Sequence, residues 1–285
     1  MVKVIQTIRE MNEAAMAVRR SGRRVALVPT MGALHEGHAA LIRRAHGLGA
    51  TVAVSIYVNP SQFGPSEDFR KYPRDMDGDC QLCAREAVDA VFAPADKEMY
   101  AEGGPAEESS TWVRENTLTK RFEGERRPGL FRGVCTVVAK LFNIVQPDLA
   151  VFGQKDYQQL KVIQRMVRDL CYPIEIVAVP TVREPDGLAL SSRNKYLSGE
   201  ERAQATVLSK TLNVGLDLFN TGEINSHRIE TAMLRVMQLA PAARVDYIEI
   251  VNSNTLEPVN EAKRGDVILI AAYIGKTRLI DNLTL

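Results

Sequence analysis

The stretch that decides the fold is residues 25–38, VALVPTMGALHEGH. It opens with four apolar residues, which predict a buried strand. Pro29 cannot donate to a central ladder and Gly32 frees the backbone, so the strand is expected to end there. From about Ala39 the apolar residues recur with helical spacing. The stretch therefore predicts a strand, a turn and a helix in direct succession.

Two histidines, His35 and His38, fall in this turn, at or near the predicted helix N-terminus. We expect that terminus to offer unpaired N–H groups and the positive end of the helix dipole to phosphate. Gly37 between the histidines would let a ligand approach the backbone closely. Imidazoles can donate hydrogen bonds to phosphate oxygens as charge moves onto them. A chance surface pair is the alternative; a zinc site is disfavoured, because no third His or Cys lies nearby.

Strand and helix patterns alternate along the first part of the chain. Further apolar strands are predicted at 51–58, 88–92, 149–152 and 174–179, with helices between them. This alternation indicates an α/β domain with a Rossmann-like, doubly wound parallel sheet, predicted over residues 1–183. The pattern then changes to a long helix up to about Asn220, a shorter helix and three final strands. We therefore predict a smaller C-terminal α+β domain over residues 184–285, covering the cleft.

Composition excludes several classes of protein. The 285 residues carry a net charge of +1, so no broad basic surface for nucleic acid is expected. No apolar run is long enough to cross a bilayer, and the first 20 residues lack a signal-peptide core. Of the four cysteines, Cys80 and Cys83 form a C-x-x-C, interpreted as reduced thiols on a helix. These features favour a cytoplasmic protein that does not bind membranes.

Other polar residues follow predicted strands, where ligands of parallel sheets bind. Gln62 follows the second strand, and Gly153 to Asp156 follow a later one, with Lys155 at a strand-to-helix turn that suits phosphate. For each residue alone, a solvated loop or surface side chain is the alternative. Two loops, at 64–74 and 101–112, are polar; the first is predicted to cover the site and the second to be a surface excursion.

Several motifs together resemble one family. The resemblance is to the pantoate–β-alanine ligases (pantothenate synthetases), which belong to the nucleotidylyl-transferase superfamily with an HxGH signature. It spans nearly the whole chain. The motifs are PTMGALHEGH (29–38), SIYVNPSQF (55–63), RPGLFRGV (127–134), VFGQKDYQQL (151–160) and LALSSRNKYL (188–197).

The resemblance implies an activity and a set of site residues. ATP, (R)-pantoate and β-alanine would give pantothenate, AMP and pyrophosphate through a pantoyl adenylate, with Mg²⁺, in a homodimer. Gln62 and Gln159 would bind pantoate near the β-alanine position. The implied catalytic residues are His35, His38, Lys155 and Arg193. The implied ATP-binding residues are Met31, Gly32, Ala33, Leu34, His35, Glu36, Gly37, His38, Gly153, Gln154, Lys155, Asp156, Val182, Leu190, Ser191, Ser192 and Arg193.

The chain departs from the family pattern at two places. Relatives often carry an acidic pair where this chain has Gly78-Asp79, so the metal ligands stay open. Many relatives have a histidine where this chain has Leu130, which cannot carry a proton.

Three other functions are weighed against this one. A nucleotidyltransferase that leaves AMP on its product is disfavoured by the paired glutamines and the SSRN segment. A non-catalytic nucleotide sensor is disfavoured because His38, Lys155 and Arg193 are retained together. An aminoacyl-tRNA synthetase is disfavoured because the chain is short and has no basic excess.

Overall fold

The computed structural model describes residues 2–64, 69–100 and 109–285. Parts of both polar loops, 65–68 and 101–108, lie outside the described residues, and so do the predictions made for them. The chain divides into two compact units: unit 1 is Met1–Gly153 with Gln158–Val179, and unit 2 is Gln154–Tyr157 with Pro180–Leu285. The domains 1–183 and 184–285 stay a prediction.

Unit 1 is built on a six-stranded parallel sheet, as predicted from the βα alternation. The strand order is β1-β4-β3-β2-β5-β6, and every recorded pair is parallel. The short edge strand β1 was not predicted. The strands are β1 Lys3–Ile5, β2 Arg24–Thr30, β3 Ala50–Ile56, β4 Ala90–Phe92, β5 Leu149–Gly153 and β6 Glu175–Val179.

Helices connect these strands. Apolar residues of α2 and α3 pack on the sheet face that carries Ala26 and Val28 of β2. Val25 and Leu27 point to the opposite face and are also buried, which explains the continuous apolar run. The helices of this part of the chain are α1 Ile8–Arg20, α2 Glu36–Gly47, α3 Met76–Arg85, α4 Asp96–Met99, α5 Glu123–Arg126, α6 Leu130–Val145 and α7 Tyr157–Asp169.

The predicted end of β2 at Pro29 is wrong, because the strand continues to Thr30 and pairs with β3 throughout. The carbonyl of Thr30 accepts the N–H of Tyr57, so Thr30 faces β3 and the preceding Pro29 faces β5. The β2–β5 pairing has already ended at Leu27. Proline therefore occupies a central strand at a position where no ladder N–H is required.

Unit 2 contains an antiparallel three-stranded sheet, in the order β7-β8-β9, covered by helices. Ser198 and Glu201 form a capping box at the start of its first helix. The single long helix predicted after it is wrong, because the helix breaks at Thr206 into two. The elements are α8 Gly199–Ala205, α9 Val207–Asn220, α10 Ser226–Met237, β7 Ala243–Val251, β8 Val267–Ile274 and β9 Thr277–Thr284.

Two further predictions concern membrane-spanning helices and the state of the cysteines. Within the described ranges, no helix has the length and apolar character needed to cross a membrane. All four cysteines are free thiols, and Cys80 and Cys83 lie on α3 as expected.

Candidate active site

The turn between β2 and α2 holds the two histidines in a reciprocal cap. His35 is the N-cap of α2, and its Nδ1 accepts the N–H of Gly37 at 3.1 Å. Nδ1 of His38 accepts the N–H of His35 at 3.2 Å. The two ring centroids are 4.2 Å apart. The helix starts at Glu36, earlier than predicted, so His38 lies in its first turn.

This cap determines which ring nitrogen carries the proton. A nitrogen that accepts a backbone N–H must present a lone pair, so each Nδ1 is unprotonated. Each neutral imidazole of the pair therefore carries its hydrogen on Nε2. His35 and His38 thus both have the tautomer that donates from Nε2, and this suits them to phosphate oxygens.

The expectation that the first N–H groups of this helix are unpaired is wrong for two residues. The N–H of Gly37 bonds to the His35 ring, and the N–H of His38 bonds to the carbonyl of His35 at 2.8 Å. The His35 ring occupies the capping position at the start of α2, and the His38 ring accepts the N–H of the N-cap residue itself. Any contribution of this turn to phosphate binding is therefore carried by the side chains more than by these two amides.

The loop before the histidines is held by a buried carboxylate. Gly32 and Ala33 both have positive φ angles, 81° and 52°. Successive backbone N–H groups in a tight turn can converge on one point and form a concave anion site. Here the anion is Asp79 of α3: its Oδ2 accepts the N–H of Ala33 at 3.0 Å, and its Oδ1 accepts that of Leu34 at 2.6 Å. A side chain at Gly32 would begin 2.9 Å from Oδ2.

Gln62 lies in unit 1 beside the same loop. It ends a short 3-10 turn after β3, and its Nε2 donates to Sδ of Met31. The buried amide of Asn59 supports the turn: Nδ2 donates to Oε1 of Gln62 at 3.3 Å and to the carbonyl of Gly133 at 3.2 Å. Oδ1 of Asn59 also accepts the hydroxyl of Tyr100 at 2.6 Å. Gln62 thus bonds to the histidine loop directly and is linked to α6 through Asn59.

The two consecutive glutamines at the start of α7 differ in environment. Gln159, the predicted pantoate ligand, is half-buried, whereas Gln158 is buried. Oε1 of Gln158 accepts the N–H of Glu123 at 3.0 Å, and its Nε2 donates to the carbonyls of Leu118 at 2.7 Å and Arg121 at 3.0 Å. Gln158 therefore holds the chain before α5. Leu130, the first residue of α6, is buried.

The predicted phosphate-binding lysine lies in unit 2. Gln154, Lys155 and Asp156 form a 3-10 turn between β5 and α7. The side chain of Lys155 is 20% exposed, and its Nζ lies 3.7 Å from Oδ1 of Asp156. The turn is attached to unit 2 by the amide of Asn282, which donates to the carbonyls of Gln154 and Lys155.

The 190–193 segment, whose residues are also predicted to bind ATP, lies in unit 2 as well. Ser191 caps a short 3-10 helix by accepting the N–H of Arg193 at 3.2 Å, and Ser192 is buried. Asn194 ties this helix to the carboxylate of Glu184 and to the carbonyl of Ala189.

A hairpin formed by residues 182–190 leads into the 190–193 segment. The N–H of Leu190 bonds to the carbonyl of Val182 at 3.0 Å, which joins the two predicted ATP-binding positions. Arg202 of α8 braces the hairpin with ion pairs to Glu184 at 2.7 Å and Asp186 at 2.8 Å. The guanidinium of Arg202 is the main cause of the lowered pKa of the Asp186 carboxyl.

The structure gathers most of the predicted residues in two groups; Gly153, at the end of β5, and Gln159, in α7, also belong to unit 1. Unit 1 brings Met31, His35, His38 and Gln62 to one region of loops at the ends of β2 and β3. Unit 2 carries residues 154–156, Val182 and residues 190–193. Asp79 and Asn59, which support the first group, were not assigned from the sequence. A signal for Asp79 exists, since it shares the buried side of α3 with Leu82 and Cys83.

Known proteins are similar to this chain over nearly its whole length. The sequence profile described as pantoate-beta-alanine ligase matches residues 3–284. The chain belongs to the pantoate–β-alanine ligase family. Among curated ligases of this family, a pantothenate synthetase of Thermotoga neapolitana is 49% identical over 284 residues and covers 100% of both chains. The pantothenate synthetase of Moorella thermoacetica is 50% identical and covers 100% of this chain and 99% of its own.

Solved structures of pantoate–β-alanine ligases have the same fold. Pantothenate synthetase from Thermus thermophilus superposes with a TM-score of 0.92 at 45% identity and covers 99% of each chain. The pantoate-beta-alanine ligase of Francisella tularensis, solved with beta-gamma ATP and beta-alanine, has a TM-score of 0.80 at 31% identity. The match covers 98% of that chain and 100% of this one.

Proposed function

We propose that this ligase joins (R)-pantoate to β-alanine in two half-reactions, with ATP as the activating substrate. The observation that carries the proposal is the His35–His38 pair, whose Nε2-protonated tautomers are fixed at a strand-to-helix turn, in a chain that the family profile matches over residues 3–284. The products are pantothenate, AMP and pyrophosphate.

The need for ATP follows from the chemistry of amide formation. A carboxylate does not acylate an amine at neutral pH, because oxide is too poor a leaving group. Attack of the pantoate carboxylate on the α-phosphorus of ATP forms a mixed anhydride and releases pyrophosphate. The amine of β-alanine then attacks the acyl carbon and displaces AMP. Negative charge develops on phosphate oxygens in the first step, so preorganised donors and cations accelerate it.

Residue roles follow from the chemistry of each side chain. His35 and His38 donate from Nε2 to phosphate oxygens, and Lys155 and Arg193 neutralise the charge on the departing pyrophosphate. The further ATP contacts are those named above for residues 31–38, 153–156, 182 and 190–193. Gln62 and Gln159 bind pantoate. Their neutral amides bond hydroxyl and carboxylate oxygens without adding a charge that would weaken the nucleophile.

Mg²⁺ is the expected companion of ATP. In the described part of the chain, no group of three His, Cys, Asp or Glu side chains is arranged to hold a metal. The carboxylate of Asp79, the retained member of the acidic pair, is turned to the backbone of Ala33 and Leu34. The residues therefore do not form a protein cage for the ion. Mg²⁺ is commonly held by substrate phosphates and water, and we infer that mode here.

Three further features belong to the proposal. Residues 184–285 act as a lid that excludes water, because an acyl adenylate is prone to hydrolysis. The ligase is a homodimer, in keeping with the closed symmetry common among soluble enzymes. It acts in the cytoplasm, consistent with free cysteines and a near-neutral charge.

A substrate panel tests this function. Purified protein is given ATP and Mg²⁺ with a set of 2-hydroxy acids and small amines, and AMP, ADP and pyrophosphate are quantified. Stoichiometric AMP, pyrophosphate and pantothenate are expected only with pantoate and β-alanine together. A product that retains AMP would instead identify a nucleotidyltransferase, and binding of ATP without turnover would identify a nucleotide sensor.

A further inference from the structure

Asn282, near the end of the last strand, bonds to the turn that carries Lys155. Its Nδ2 donates to the carbonyl of Gln154 at 2.9 Å and to the carbonyl of Lys155 at 2.8 Å. These residues are separated by more than 120 positions in the sequence, and both lie in unit 2. A carboxamide nitrogen has two hydrogens, so both donors of this side chain are committed to two consecutive peptide groups.

The side chain that makes these bonds is itself held firmly. Asn282 is buried, with 7% of its surface exposed, and its backbone N–H donates to Oδ1 of Asp281 at 2.8 Å. The carboxylate of Asp281 in turn receives both terminal nitrogens of Arg183, at 2.7 and 2.9 Å. The strand position of Asn282 is also fixed by pairing with Leu269 of β8.

We propose that Asn282 is a positioning residue for adenylation and that it acts through Lys155. Orienting the peptide groups of Gln154 and Lys155 sets the direction in which the lysine side chain leaves the backbone. The inference rests on the proposed role of Lys155 as a phosphate ligand. Asn282 touches no reacting atom; its contribution is to keep Nζ of Lys155 where the phosphates bind.

The neighbouring residue, Asp281, anchors a second segment, the hairpin that begins near Arg183. Asp281 binds Arg183, whose guanidinium also donates to the carbonyl of Gly187 at 3.0 Å. Arg183 follows Val182 directly in the chain and pairs with Ala189 as an isolated bridge. Two consecutive residues of β9 therefore anchor the lysine turn and the base of the 182–190 hairpin.

An amide is the only common side chain that suits the position of Asn282. Two carbonyl oxygens need two hydrogens from one buried group of this size. Aspartate would place a carboxylate against both carbonyls, and leucine would leave both without this donor. A purely structural crosslink is the competing explanation, and it predicts lost stability without a specific effect on the lysine.

A double-mutant cycle separates the two explanations. Full-length Asn282→Ala, Lys155→Ala and the double variant are compared by single-turnover pyrophosphate release with saturating ATP and pantoate. We expect Asn282→Ala to slow release roughly tenfold or more, since small misplacements of catalytic groups have large effects. In the Lys155→Ala background the same change should have less than about a twofold effect, because the group that it positions is gone.

Asn225→Ala is the matched control. Asn225 caps α10 through the N–H of Arg228 at 3.0 Å, so its loss also removes a neutral hydrogen bond from unit 2. We expect a lower Tm and an unchanged rate of pyrophosphate release. Asn282→Ser retains one hydroxyl donor and should give an intermediate rate; it replaces the alanine variant in the cycle if that variant does not fold.

The outcomes are distinguishable. An equal effect of Asn282→Ala with and without Lys155 would overturn the positioning role while leaving the proposed function intact. A wild-type rate for Asn282→Ala would do the same. A wild-type rate for Lys155→Ala would instead remove the proposed role of Lys155 and, with it, this inference.

Discussion

Oδ1 of Asp79 accepts the backbone N–H of Leu34 at 2.6 Å, although the two residues are 45 positions apart. With the bond from Ala33, the carboxylate holds two successive amides of the loop that leads to His35. The acidic residue thereby fixes the backbone conformation from which both histidines emerge. Asp79 would therefore affect the proposed phosphate chemistry indirectly, through the conformation of this loop.

Replacing Asp79 with asparagine should weaken catalysis more than it weakens substrate binding. One oxygen of the amide can accept a single N–H in the normal way, while its NH₂ group would face the other N–H. We expect pyrophosphate release to slow roughly tenfold or more through displacement of His35 and His38. Asp77→Asn, an exposed change in the same helix, is the control and should leave the rate unchanged. A wild-type rate for Asp79→Asn would show that the loop holds its conformation without the carboxylate.

Replacing His38 with alanine should remove one phosphate donor and the acceptor for the N–H of His35. A loss of roughly 10²-fold in the adenylation rate is expected, the usual scale for such a group. His46→Ala provides a matched control on the same helix. His46 lies at the C-terminal end of α2, where its ring bonds to the carbonyl of Glu86. Near-normal single-turnover pyrophosphate release by the His38 variant would exclude this residue from the chemistry.

Replacing Gly133 with alanine should disturb pantoate use. A Cβ atom there would lie 2.4 Å from the carbonyl oxygen of Ser61 and 2.7 Å from the nitrogen of Gln62. Because those atoms are backbone, the turn that carries Gln62 must move, at a stability cost of about 1–3 kcal/mol. We expect a several-fold higher KM for pantoate and little change for ATP. Gly199→Ala, which meets no atom within 4 Å, should change neither value.

Glu230 gives a pH-dependent contribution to stability in unit 2. Burial is the main cause of its raised pKa, opposed by the N–H of Ile250, which it accepts, and increased by the nearby charge of Glu249. The fold therefore favours the protonated form, and its contribution is lost as pH rises through the raised folded pKa. Glu230→Gln keeps the acceptor and cannot ionise. Its Tm should exceed that of the parent at pH 8 and equal it near pH 4; a lower Tm at pH 8 would contradict this reading.

Local patterns in the sequence were sufficient to predict most of the strands and helices of the parallel-sheet unit. The apolar run at Val25–Val28 and the recurrent strand-to-helix turns predicted the parallel sheet, because side-chain periodicity reports burial directly. The position of His35 at a helix start follows from the same pattern. Pro29 misled the prediction because its effect depends on which neighbour its missing N–H would face, and β5 pairing ends before that point.

The supporting contacts of the site could not be predicted in the same way. Asp79 and Asn282 act on backbone groups that are distant in the chain, and such pairings depend on the completed fold. Each left only a composition signal: a carboxylate on the buried side of α3, and a polar pair within a strand, where Asp and Asn are uncommon. The cap between His35 and His38 also required coordinates, because sequence alone does not specify which ring nitrogen accepts.

The exchange of labelled pyrophosphate into ATP tests the central claim most directly. Cys83 and Cys135 are poorly suited to carry the acyl group, because both are buried and burial raises the pKa of both thiols. The proposed mechanism keeps the activated acid bound as an anhydride with AMP. Exchange is expected with pantoate and Mg²⁺ in the absence of β-alanine, and it should vanish when pantoate is omitted. Exchange that strictly requires β-alanine would contradict the adenylate mechanism, even if pantothenate is the product.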